Sequence, residues 1–205
     1  MLEKLKPLFY QTFEKYCNDK SYMNLCWDEV IKNYSNKKRF YHNLNHLQHM
    51  FNELQEVEAF IETIDSIRLV VFYHDLIYKV TSTENEEQSA DAFENRISKT
   101  RFEHVDLVKE MIIATKFHDK TLNSDSRYFL DSDLAILGSS SSQYDEYTRL
   151  IRKEYQIYPT FLYRRGRLKV LRALLNKPIY QTDYFTSKYE KQAQRNLKRE
   201  LQTLV

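Results

Sequence analysis

Residues 69–78 read LVVFYHDLIY, and with Ile64 and Ile67 ahead of them they form the most apolar part of the chain. On a helix such a nearly continuous run means burial on most sides. Only two Gly (Gly138, Gly166) and three Pro (Pro7, Pro159, Pro178) occur in 205 residues. Folds built from hairpins or parallel strands need glycine-rich corners, so the expected class is all-α.

Helical spacing continues on both sides of this run. Leu5, Leu8, Phe9, Phe13 and Tyr16 suggest an opening helix, and a second covers part of 21–34. A third starts near Tyr41, with Leu44, Leu47, Phe51 and Leu54 on its buried side. Thr83 followed by Glu86 fits a capping box that would open a helix through NEEQSA. Val105, Val108, Met111, Ile112 and Thr115 share a face. After the polar loop DKTLNSDS the stretch RYFLDSDLAIL is helical in spacing, with Gly138 placed to end it. Helices over roughly 143–157, 160–176 and 186–203 complete the chain. The expectation is a single domain over 1–205 of about eight helices, with a core near 39–155 and C-terminal helices 156–205 packed on it.

Composition restricts function. The 31 basic and 29 acidic residues leave a net charge of +2, which selects neither nucleic acid nor membrane. The opening MLEKLKPLFYQTFEKYC is charged throughout, unlike a signal peptide, and no window approaches the ~20 apolar residues of a membrane span. Cys17 and Cys26 lack a CxxC context and read as structural thiols of a reducing, cytoplasmic setting. The tyrosine-rich stretch 144–163 is either core or a partner surface.

The chemistry sits where the apolar pattern is broken. His42, His46 and His49, spaced four and three apart, would share one side of a helix. His74 and Asp75 interrupt the most apolar helix, and Asp131 and Asp133 pose the same problem in FLDSDLAIL. Buried imidazoles and carboxylates are costly unless hydrogen-bonded, paired or bound to a cation. One divalent ion gathering these groups would resolve every such cost. A mixed nitrogen and oxygen set suits Mn, Mg, Fe, Co, Ni or Zn.

An early His, a His-Asp doublet and a distant Asp on helices resemble the HD-domain metal-dependent phosphohydrolase superfamily. The segment YHNLNHLQHM is similar to the YHNxxH segment of cyclic-nucleotide phosphodiesterases, and SDL to the segment giving their last ligand. RFYHN, FYHDLIY, NEEQSA, IIATKFHD, FLDSDLAILG and IRKEY resemble a small bacterial HD group of unassigned substrate. The resemblance implies an HD-type helical bundle with His46, His74, Asp75 and Asp133 as ligands and His42 as the acid serving the leaving group. The further phosphodiesterase motif after the doublet is absent, the purine-clamping Gln has no counterpart, and no GYP motif occurs. Cyclic-nucleotide hydrolysis is therefore not carried over.

Other residues keep two readings. Asp131 caps its helix, replaces Asp133 as ligand, or holds a second ion or substrate. Glu86 belongs to the capping box or lines the cleft as a catalytic group. His118 meets a helix dipole, or holds a second ion or substrate. His49 is a neighbour of the site or a surface residue, and His104 is surface. Arg39, Lys116 and Arg152 are candidates for holding substrate phosphate, whereas Arg164, Arg165 and Arg167 read as a solvated helix face. The expected activity is hydrolysis of a nucleotide or other small phosphorylated metabolite by a metal-activated water, with Asp75 or Asp133 both ligating the ion and orienting that water. A di-iron oxygenase of the same fold and a non-catalytic nucleotide-binding module are the alternatives.

Overall fold

In the computed structural model the described residues are 2–119, 121 and 123–204. Lys120 and Leu122 of the polar loop lie outside them. Among the described residues there are ten α-helices of ten residues or more and no strand. They are α1 (Leu2–Phe13), α2 (Lys20–Tyr34), α3 (Leu44–Glu56), α4 (Ile64–Tyr73), α5 (Asn85–Ile97), α6 (Val105–Ala114), α7 (Ser124–Leu134), α8 (Ser141–Glu154), α9 (Thr160–Leu175) and α10 (Lys191–Leu204). The all-α expectation holds, with ten helices where about eight were expected. No helix among the described residues is long and apolar enough to cross a membrane.

The chain divides into two compact units, Met1–Leu130 and Asp131–Val205, with the boundary inside α7. In the first, α4 is central and packs against α1, α3, α5 and α6. Leu69 through Tyr73 are fully buried, as the apolar run requires. Phe9, Phe13, Trp27 and Phe72 form an aromatic cluster between α1, α2 and α4. Cys17 and Cys26 are free and buried. Asp125 fastens the start of α4, accepting from the Glu62 and Thr63 amides at 3.0 and 2.7 Å.

In the second unit, α10 packs on α9 and on the 3-10 turn Ala135–Gly138. Gly138 does end this segment, but not by adopting a left-handed conformation. Its role is space: a Cβ there would lie 2.8 Å from Tyr189 ring carbons. The capping box occurs at Ser140 and Gln143, opening α8. At α5 the cap position is Glu84 and no side chain caps it, so the Thr83–Glu86 expectation fails. Arg167 is also not a solvated residue. It is buried and forks onto Glu200 at 2.7 and 2.9 Å, while Tyr144 Oη donates to the same carboxylate.

Candidate metal centre

The expected helix through Tyr78 stops at Tyr73, because polar groups elsewhere in the chain take over its backbone. In a continuing helix the Val71 carbonyl would accept from Asp75 N–H. Instead His74 Nδ1 lies 3.0 Å from Val71 O. A carbonyl only accepts, so Nδ1 carries the proton of this contact, and in the neutral ring Nε2 is then the nitrogen with the lone pair. Asp75 N–H donates to Tyr34 Oη at 3.2 Å, and Ile77 N–H donates to Ser89 Oγ at 3.0 Å. Arg39 collects the carbonyls. Its guanidinium donates to Asp75 O at 2.7 Å, Leu76 O at 2.8 Å and His42 O at 3.4 Å, and it lies over the rings of Tyr34 and Tyr78.

The facing side comes from α3. Asn43 caps it through Asn45 N at 2.8 Å. The helix therefore begins at Leu44, later than expected, and His42 stands on its approach rather than along its side. His46, 3 % exposed, places Nε2 at 3.2 Å from His74 Nε2. Asp75 Oδ2 lies 3.4 Å from His74 Nε2. One ligand atom from each of His46, His74 and Asp75 falls within 4.8 Å of the others, and among the described residues this is the one such gathering. Ligands held roughly 2.0–2.2 Å from a shared ion stand about 2.8–3.6 Å apart in octahedral or tetrahedral geometry. The two measured spacings lie inside that interval.

The half-buried His42 ring lies 4.3 Å from that of Tyr78 and 5.7 Å from that of His46. Tyr41 and Phe129 add rings 5.1 Å from His46 and 5.8 Å from His74. Sequence reasoning missed Tyr34, Tyr78 and Phe129. Only proximity in the fold connects Tyr34 and Phe129 to the doublet, and Tyr78, three residues after Asp75, reads there as one more apolar position.

The other expected site residues are placed as follows. Asp131 is buried, and its carboxylate accepts from Gln181 N at 2.8 Å, Thr182 N at 2.8 Å and Thr182 Oγ1 at 2.7 Å. Asp133 is half-buried near the end of α7. Arg39 is a backbone clamp, not an open phosphate ligand. Lys116 donates to Thr83 O at 2.7 Å and to Glu87, with Glu86 at 4.0 Å, so it and Glu86 engage one another's surroundings rather than the triad. Lys116 holds the Glu87 carboxyl below the ordinary carboxylate range. His118 closes α6 in the left-handed region (φ 48°), its N–H bonded to Ala114 O. His49 lies half-buried on α3. Arg152 turns onto the Tyr155 and Tyr158 carbonyls at 2.9 and 3.2 Å and over the Tyr163 ring, closing the corner after α8.

No family model, no characterised protein and no solved structure matches the chain.

Proposed function

We propose that this chain is a metal-dependent phosphohydrolase acting on a nucleotide or other small phosphorylated metabolite. The observation that carries the reading is the convergence of His46 Nε2, His74 Nε2 and an Asp75 carboxylate oxygen at spacings suited to one ion. The set of two imidazoles and a carboxylate suits Mn, Mg, Fe, Co, Ni or Zn. His46, His74 and Asp75, all within one compact unit, carry this reading, and Asp133 enters it only through the sequence resemblance.

When bound, such an ion lowers the pKa of coordinated water from 15.7 toward ~7 and polarises a phosphoryl oxygen. The residues do the rest. His74, fixed in one tautomer by Val71 O, keeps its Nε2 lone pair directed at the centre. Asp75 orients the attacking water through its carboxylate. His42, beside the His46 ring, holds the proton that the departing alkoxide takes up.

Metal analysis of untreated protein comes first, followed by a screen of phosphomonoesters, nucleotides and cyclic dinucleotides with Mn, Co, Ni or Mg. At least about one ion per chain and a turnover reduced about a hundredfold or more in His74→Ala and Asp75→Ala are expected. Metal-free protein that gains no thermal stability from any of these ions would refute the reading.

A further inference from the structure

The charge of this chain is unevenly distributed along it. Residues 155–205 hold eleven Lys and Arg against three Asp and Glu, although the whole chain is only +2. From 155 to 182 there is no acidic residue at all. Two of the three later acids face inward. Glu200 is taken by Arg167 and Tyr144, and Glu190 accepts from the Ile179 and Tyr180 amides. Among the cations of the segment, Arg167 is buried on Glu200 and Arg199 pairs with Asp145.

On α9 this charge shares one exposed side with apolar side chains. Arg165, Lys169 and Arg172 are exposed and engage no carboxylate among the described residues. Between and beside them stand Phe161 at 69 %, Leu162 at 44 % and Val170 at 48 % exposure, with Ile157 at 66 % on the Pro159 corner that precedes the helix. Among the described residues, four of the nine exposed large hydrophobics therefore lie within 157–170. Solitary exposed apolar groups are ordinary, but a cluster rimmed by one sign of charge marks a binding surface.

We propose that α9 and the Ile157–Pro159 corner bind the anionic surface of a phospholipid bilayer. The chemistry required is a partner that accepts both kinds of group at once. A bilayer interface presents phosphate and carboxylate to cations at the headgroup level and hydrocarbon just beneath it. The long stems of Arg165, Lys169 and Arg172 allow their heads to reach the phosphates while Phe161 and Ile157 enter the acyl boundary. A nucleic-acid backbone would satisfy the cations but offers nothing to Ile157, Leu162 or Val170. Attachment of this kind is peripheral and reversible.

The test is flotation of the full chain with vesicles of phosphatidylcholine containing about 30 mol % phosphatidylserine, against phosphatidylcholine alone. Binding at least about tenfold tighter to the anionic vesicles, and lost in about 0.5 M salt, is expected. Each of Arg165→Gln, Lys169→Gln and Arg172→Gln should weaken it about fivefold. The pair Ile157→Ser and Phe161→Ser should weaken it on the same vesicles while circular dichroism and Tm stay at wild-type values. Equal binding to both vesicle types, binding to neither, or variants indistinguishable from wild type would overturn the proposal. So would salt-sensitive binding to RNA or duplex DNA without vesicle binding, which would give the surface to nucleic acid.

Discussion

Arg39 gives the clearest case of one side chain deciding local geometry. Its guanidinium joins the carbonyl of His42, ahead of α3, to those of Asp75 and Leu76, beyond α4. Those two segments carry or flank His46, His74 and Asp75. A lysine has the charge but donates from one nitrogen, whereas Arg39 spans these carbonyls from two, Nη1 and Nη2. Arg39→Lys is therefore expected to lower metal affinity about tenfold or more in calorimetric titration, and to cost about 1.5–3 kcal/mol of stability through its lost charged hydrogen bonds. Unchanged affinity in a variant that still folds would make Arg39 a support of the fold alone. A wild type that binds no ion would instead defeat the reading of the centre. This role could not be seen in sequence, where Arg39 resembled any cation near a phosphate site. The doublet itself was visible because His and Asp violate an apolar run, and that violation is a local property.

Helix ends were harder to read than helices. Periodicity carries α4 through Tyr78, but Tyr34, Arg39 and Ser89 compete successfully for the backbone after Tyr73. Competition from distant residues has no local signature, so the boundary moved by five residues at the position that matters most. The S/T-x-x-E/Q pattern misled at Thr83, whereas the box at Ser140–Gln143 went unread. Gly138 shows that a glycine can be demanded by a neighbour rather than by a dihedral angle. Gly138→Ala should destabilise by about 1–3 kcal/mol through overpacking against Tyr189, measured as a shift in urea midpoint. Removing the neighbour's side chain, Cβ included, in Gly138→Ala with Tyr189→Gly, should reveal a favourable coupling between the two changes. Additive effects would mean that the added methyl finds room elsewhere.

At the scale of the molecule, tyrosines tie helices together across long sequence separations and give stability a dependence on alkaline pH. Tyr16 Oη donates to Asp65 at 2.8 Å, and burial together with that carboxylate pushes its pKa up to about 12. The unfolded value is about 10. Because the folded state favours the neutral phenol, this contribution is complete below pH ~10 and is lost as pH rises through about 12. Tyr16→Phe should be less stable than wild type near pH 8, and the difference in urea midpoint should vanish by about pH 12. A constant difference across that interval would show that Tyr16 acts through packing alone.

The uneven placement of charge has a consequence for handling as well. With eleven cations and three anions in residues 155–205, the rest of the chain must be net acidic for the total to reach +2. Electrophoretic mobility follows the total and should be slight near the isoelectric point of about 8.3. Adsorption follows the local field, so one buffer near neutral pH should allow both a cation exchanger and an anion exchanger to retain the same protein.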